Sequence, residues 1–245
     1  MANLIVDEGN TLCKVAVMNK SEVLCEVATP DFDMAQVAEM IARYGVESAI
    51  VASTRGGAEQ ICLQLGEKVA KVLHFSSQTE VPIEVEYASR QTLGADRIAV
   101  AVGVVCGMGI ENALVVDMGS AITFDIVENG RFKGGNISLG AEMRFKALHD
   151  YTARLPLCEA TEPVEGFGNS TKEAIEQGVM QGILYEIEGY VERVLQKNDK
   201  NSIIFCGGGA EIFVNRIKNA IFAPRKLMFT GLNLILEHNV SKNNI

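Results

Sequence analysis

The chain has 245 residues, with 22 Lys and Arg against 31 Asp and Glu, a formal net charge of −9. Hydrophobic residues make up 48% and charged residues 22%, enough apolar material for a large core, so disorder as the main state is excluded. The acidic balance also excludes a general nucleic-acid binder, which needs clustered Lys and Arg, but not a single nucleotide held by local geometry.

Asn3 to Val6 is a short apolar strand that ends in an acidic turn. Leu12 to Met18, a turn at Asn19 and Lys20, and Glu22 to Ala28 extend it as a β-meander. Phe32 to Tyr44 has helical spacing, with Met34, Val37, Ala38, Ile41 and Ala42 on one face and Gly45 as the stop. A strand over Ser48 to Ser53, a helix over Glu59 to Leu65 and a strand over Lys71 to His74 follow, and Asp96 to Cys106 is helical. The pattern then starts again. Ala113 to Asp117 is a strand with an acidic end, Ile122 to Val127 and Phe132 to Ile137 flank a hairpin turn at Asn129 and Gly130, and helices are expected over Ala141 to His149 and Lys172 to Leu195. The strand Ile203 to Cys206 leads into Gly207, Gly208 and Gly209, then a helix near Ala210 to Lys218.

Ile5-Val6-Asp7-x-Gly9 and Val115-Val116-Asp117-x-Gly119 match at a spacing of 110 residues, each before a meander. Asp and Gly are common turn residues, but the shared strand and meander favour internal duplication of one α/β unit. The expected halves are residues 1–110 and 111–245, around a nucleotide cleft. Six cysteines without C-x-x-C spacing are expected to be buried, reduced thiols of a cytoplasmic protein. No signal peptide is expected from MANLIVDEGN, and the charge-free stretch Ile98 to Ile110 is too short for a membrane span. The three histidines lack metal spacing, so no zinc is expected.

An Asp at the end of a buried strand, followed by a Gly turn, projects a carboxylate and lets backbone N–H groups approach a ligand. Asn10, Thr11 and Lys14 equip the first turn for a triphosphate and Mg²⁺; Asp117, Ser120 and Thr123 furnish the second. No P-loop, no G-x-G-x-x-G after a strand and no G-x-S-x-G elbow occurs.

Several motifs then stand in a fixed order. Asp7-Glu8-Gly9-Asn10-Thr11 precedes Leu12, Cys13 and Lys14; Tyr87 precedes Gly94-Ala95-Asp96-Arg97; Asp117-Met118-Gly119-Ser120 runs on to Thr123 and Asp125. Gly134-Gly135, Thr152 to Pro156 and Thr171 to Gly178 follow. In this order they resemble the type III pantothenate kinases of the acetate kinase, sugar kinase and actin superfamily. The resemblance implies a duplicated ribonuclease H-like (actin-like ATPase) fold. It also implies transfer of the ATP γ-phosphate to the 4′-hydroxyl of (R)-pantothenate, the first step of coenzyme A biosynthesis. Asp7 to Lys14 and Ser120 would contact ATP, with Asp7 also serving Mg²⁺ through water. Asp117 would hold a monovalent cation, K⁺ or NH₄⁺. Tyr87, Gly94, Ala95, Asp96, Arg97 and Thr171 would contact pantothenate, Thr171 from the partner subunit of a homodimer. Neither nucleic acid nor membrane is an expected partner.

Asp96 is the expected general base, orienting the alcohol and taking its proton as it attacks. The bland alternative is a surface Asp favoured by the helix dipole. Arg97, whose planar fork suits a carboxylate, could otherwise be a solvated helix Arg. Departures from the family pattern are Glu8 for an apolar residue, Arg90 and Leu139 for Pro, Ser120 for Thr, and Cys206 for Thr. Two other functions compete. Another phosphotransferase of the superfamily would lack Gly94 to Arg97, and a non-catalytic nucleotide-sensing regulator would lack Asp96 or Asp117.

Overall fold

The computed structural model describes residues 2–223, 226–242 and 245. The chain divides into two compact units, one comprising Met1–Glu111, Glu128–Lys133 and Lys226–Ile245, the other Asn112–Val127 and Gly134–Arg225.

The first unit opens with β1 (Ala2–Glu8), β2 (Cys13–Asn19) and β3 (Glu22–Thr29), then α1 (Met34–Tyr44), β4 (Val46–Ser53), α2 (Ala58–Gly66), β5 (Lys71–His74) and α3 (Ala95–Val102). The sheet order is β3-β2-β1-β4-β5. The meander pairs antiparallel, and β4 and β5 add parallel to β1. β1 is buried on both faces. Leu4 and Val6 join a core with Val37, Met40 and Ile41 of α1 and Ala58, Ile61 and Leu65 of α2. The α1 ends follow its sequence: Asp33 accepts the N–H groups of Ala35 and Gln36, and Gly45 closes the helix at φ 61°.

The second unit repeats the plan with β6 (Ala113–Met118), β7 (Ala121–Glu128), β8 (Arg131–Leu139), α4 (Ala141–Asp150), α5 (Thr171–Lys197), β9 (Ser202–Cys206), α6 (Glu211–Val214) and β10 (Ala220–Phe222). Its sheet order, β10-β9-β6-β7-β8, is the first order with each strand replaced by its counterpart. Leu114 and Val116 of β6, Phe124 of β7 and Phe205 of β9 pack with Phe145 of α4 and with Ile175, Val179, Ile183 and Ile187 of α5. α5 starts on a Ser170 cap that accepts the Glu173 N–H, while the Glu173 carboxylate accepts the Asn169 N–H.

Four features depart from the expectations. The helix from Asp96 to Cys106 is α-helical only to Val102 and continues as a π-helical turn, Gly103–Gly107. The helix near Ala210 shrinks to the four residues of α6. Cys106 is exposed, and Cys25 and Cys62 are only half-buried, although all six thiols are free. A last helix, α7 (Leu227–Ser241), follows β10. Its buried residues include Leu227, Phe229, Leu232, Asn233, Ile235, Leu236 and Asn239, so no polar stripe marks it out. It packs on α3, β1 and β4 within the first unit. Asn233 is bonded by the Asn3 side chain at 2.8 Å and donates to the Lys20 carbonyl at 3.0 Å. Among the described residues no helix is long and apolar enough to cross a membrane.

The α3–α7 crossing is a backbone contact. A Cβ on Gly231 would sit 1.8 Å from the Ala99 carbonyl oxygen, and one on Gly103 2.6 Å from that of Leu227. Neither neighbour is a flexible side chain, so Gly231→Ala should destabilise by about 2 kcal/mol or more through overpacking. Gly189→Ala, in the interior of α5 with open space at the Cβ position, should instead stabilise by about 0.5–1 kcal/mol. Thermal melts of both variants check this pair; equal Tm values would contradict the close crossing.

Candidate active site

The first acidic turn sits where the sheet brings three strands together. Asp7 lies opposite Lys14 on β2 and Ala52 on β4. Its carboxyl is pushed up to about 6, chiefly by burial, with the Asp96 charge adding to the rise and Lys14 opposing it. Lys14 and Asp96 thus both lie near enough for their charges to bear on Asp7. The Gly9 N–H donates to the Leu12 carbonyl at 3.0 Å and closes the turn. Gly9 is half-buried, and Asn10, Thr11 and Leu12 are exposed on it. Glu8 and Cys13 face the other way, as alternation along a strand requires. Glu8 is buried, accepts the Ser53 hydroxyl and lies against Gly57, while Cys13 is in the core. Either could reach a ligand at this turn only through its backbone.

The substrate motif forms around the start of α3. Asp96 is in its first turn and accepts its own neighbour's N–H, that of Arg97, at 2.9 Å. Ala95 opens the helix, and Gly94 before it gives the carboxylate room, since a Cβ there would lie 2.3 Å from Asp96 Oδ1. Arg97 is buried, its guanidinium 5.8 Å from the Tyr87 ring centroid and 5.6 Å from that of Phe132. The two rings are 6.1 Å apart. Phe132 is held there by the Glu84–Glu86 segment, whose backbone brackets it with two 2.9 Å hydrogen bonds. The sequence placed Phe132 in a strand and held no sign of this grouping.

In the second unit, Asp117 lies opposite Thr123 on β7 and Cys206 on β9. The Cys206 thiol donates to the Asp117 carboxylate; burial first, then the Asp117 charge, push that thiol far above its usual range. Gly207, at φ 87°, lets the carboxylate in, for a Cβ there would be 2.5 Å from Asp117 Oδ1. Ser120 is exposed on the turn. Thr123 is turned aside and donates to buried Asp125 at 3.1 Å. Thr171 is the first residue of α5 and lines a cavity of about 770 Å³ with Tyr151, Thr152, Leu155 and Ile175.

Arg55, which no motif marks, is the other residue of weight here. Its guanidinium donates to the Gly9 carbonyl of the first turn at 2.6 Å.

The repeated strand order, with a carboxylate ending the central strand of each sheet, defines the actin-like ATPase and sugar-kinase fold class. Solved structures agree. A Baf family protein from Campylobacter jejuni superposes with a TM-score of 0.63 at 22% identity, covering 97% of this chain and 99% of that one. The activator of the 2-hydroxyisocaproyl-CoA dehydratase from Clostridium difficile, solved with bound ADPNP, gives 0.54 at 12% identity, covering 100% and 98%. The family model for type III pantothenate kinase matches residues 3–193. A Bacteroides fragilis protein of that name is 37% identical over 238 residues, 97% of this chain and 98% of its own. One from Porphyromonas gingivalis is 36% identical over 242 residues, 97% and 99% of the two chains. The chain belongs to the type III pantothenate kinase family.

The raised Asp7 carboxyl gives a signed pH dependence for the protein free of nucleotide and Mg²⁺. The fold holds the Asp7 proton more tightly than the unfolded chain, whose carboxyl ionises near 3.8. Burial of the ionised form therefore disfavours folding fully above pH 6 and not at all below pH 4, by up to about 3 kcal/mol. Asp7→Asn should raise Tm at pH 7.5, and the gain should fade as pH falls from 6 towards 4. A gain that grows on acidification would contradict the assignment.

Proposed function

We propose that this chain transfers the γ-phosphate of ATP to the 4′-hydroxyl of (R)-pantothenate, giving 4′-phosphopantothenate at the start of coenzyme A biosynthesis. The observation that carries the reading is one cluster within the first unit. A phosphate-type turn with Asp7 and Lys14 lies within range of the Asp96 charge, and Asp96 is followed by a buried Arg97 set against the Tyr87 and Phe132 rings.

Asp96 is the general base. It stands at a helix start where Gly94 leaves it room, able to accept the alcohol proton as the oxygen attacks phosphorus in line. Arg97 pairs with the pantothenate carboxylate; the Tyr87 and Phe132 rings within cation–π range hold its buried guanidinium in place before substrate arrives. Gly94, Ala95 and Tyr87 line the same contact. Asn10, Thr11 and Leu12 offer backbone and side-chain donors to phosphate, Gly9 lets the backbone come close, Lys14 adds a positive charge, and Ser120 a hydroxyl from the second turn. Glu8 and Cys13 take part through their backbone.

A single carboxylate such as Asp7 suits Mg²⁺, which keeps several waters and takes its remaining ligands from phosphates. Held by Asp7, such an ion would supply positive charge against that developing on the phosphates. Asp117 offers a hard oxygen donor fit for K⁺ or NH₄⁺, and the thiol beside it leaves that oxygen as the ligand. A homodimer is supported by the exposed apolar side chains of Ile137, Tyr151, Leu157 and Phe167 in the unit that carries Thr171. The six free thiols suit the reducing cytoplasm.

ADP release is the test, with ATP, Mg²⁺ and K⁺, with and without pantothenate. Pantothenate-dependent release is expected, lower in Na⁺ alone. Asp96→Asn should lose about 10²–10⁴ in kcat with ATP binding kept, and Arg97→Lys should raise the pantothenate KM about tenfold at an unchanged ATP KM. Release indifferent to pantothenate would overturn the reading, and near-normal turnover by Asp96→Asn would remove the base.

A further inference from the structure

Three segments of the first unit meet at Arg55. Its Nε donates to the Gly9 carbonyl at 2.6 Å, and its Nη1 donates to the Pro30 carbonyl at 2.9 Å and pairs with Asp31 at 3.1 Å. The loop that carries Arg55 is itself fixed. Ser53 Oγ accepts the N–H groups of Arg55, Gly56 and Gly57 at 3.1, 3.0 and 3.2 Å, and donates its own proton to the Glu8 carboxylate. The Thr54 N–H donates to the Glu8 carbonyl at 2.9 Å. Glu8 and Gly9, successive residues of the first acidic turn, are thus both fastened to the loop after β4.

The consequence follows from peptide geometry. A trans peptide is planar, with its C=O and N–H opposed. Fastening the Gly9 carbonyl to Arg55 therefore turns the Asn10 N–H away from Arg55. It also engages a carbonyl oxygen that would otherwise repel an anion at the turn, and it places a permanent positive charge beside it. The ion pair with Asp31 explains little of this: the Asp31 side chain is 89% exposed, and such pairs are weak. The two carbonyl contacts, on a side chain only 25% exposed, are what Arg55 is placed to make.

We infer that Arg55 is a positioning residue for the nucleotide, locking the β1–β2 turn so that its backbone donors face phosphate. This rests on the kinase reading only in taking that turn as the phosphate site. Nothing in the motif pattern marks the position, because the sequence around it, Ala52-Ser53-Thr54-Arg55-Gly56-Gly57, reads as an ordinary loop.

The test compares Arg55→Ala, Arg55→Lys and Asp31→Asn in the full chain, reading the Mg·ATP Kd by calorimetry, both KM values and Tm. Arg55→Ala should weaken Mg·ATP binding and raise the ATP KM about tenfold, while the pantothenate KM stays within about twofold. Arg55→Lys keeps the charge but not the forked contact, so it should recover less than half of the loss on a logarithmic scale. Asp31→Asn should bind Mg·ATP within about twofold of the parent. A cooperatively melting Arg55→Ala with the parent's Mg·ATP Kd overturns the inference. Full recovery by Arg55→Lys also overturns it, because charge alone would then suffice, as does an equal loss for both substrates, which reports general damage. If Arg55→Ala does not fold, Arg55→Lys against Asp31→Asn decides on the same Kd. The Kd needs no turnover. A chain that binds Mg·ATP in this pattern yet does not phosphorylate pantothenate would refute the kinase reading and leave the role of Arg55 standing.

Discussion

Each unit is organised around a carboxylate at the C-terminal end of its central strand. Such a group is expensive to bury, and it must have partners or a shifted pKa. The two units meet this constraint at matching strand positions with different partners. In β1, Asp7 has a lysine across the antiparallel pair; in β6, Asp117 has a threonine there and a thiol donor across the parallel pair. In both, the loop after the fourth strand carries a glycine against which a carboxylate of the first strand packs, Gly57 against Glu8 and Gly207 against Asp117. A side chain at either glycine would fill the space that the carboxylate occupies. The strand order follows from the same requirement, since a strand with an antiparallel neighbour on one side and a parallel one on the other receives a turn and a loop at one end.

What the sequence disclosed, and what it hid, sorts by the range of the interactions. The meanders, α1 with its Asp33 and Gly45 ends, and the paired Asp-x-Gly turns rest on local rules, and all were readable. The family was readable because several weak motifs stood in one order. α7 was not, because a helix buried on most faces loses the stripe that marks an amphipathic one. The end of α3 was misread for a related reason. Its switch to a π-helical turn occurs where Gly103 meets the α7 backbone, a contact more than a hundred residues away in sequence. Phe132 and Arg55 were hidden likewise, since a strand Phe and a loop Arg are unremarkable until the fold sets them beside Arg97 and Gly9.

Glu8 shows how a local departure can mislead. As an acidic residue inside a phosphate-type turn it reads as an extra charge on the ligand side. Strand alternation sends it to the opposite face from Asp7, where Ser53 receives it. The departure from an apolar residue is thus matched by a polar partner on β4, and the pair fastens the turn from behind. Asp7, Glu8 and Arg55 then act on one short hairpin from three sides: one carboxylate forward, one back, and one guanidinium on the carbonyl between them and the exposed tip.

The same logic reaches the substrate motif through the C-terminal helix. Asp96 and Arg97 sit on a short helix, and a helix of two turns has little stability of its own. Its position is set by what it packs against, and that is α7, at a crossing close enough that backbone touches backbone. α7 is in turn fixed to the sheet by the Asn233 bonds to Asn3 and Lys20. Buried polar bonds of this kind add modest stability but specify one register, because any slip would leave the amides unsatisfied. The helix α7 therefore orients the motif of the first unit, and Gly231 at the crossing is as much a condition of the site as the carboxylate it positions.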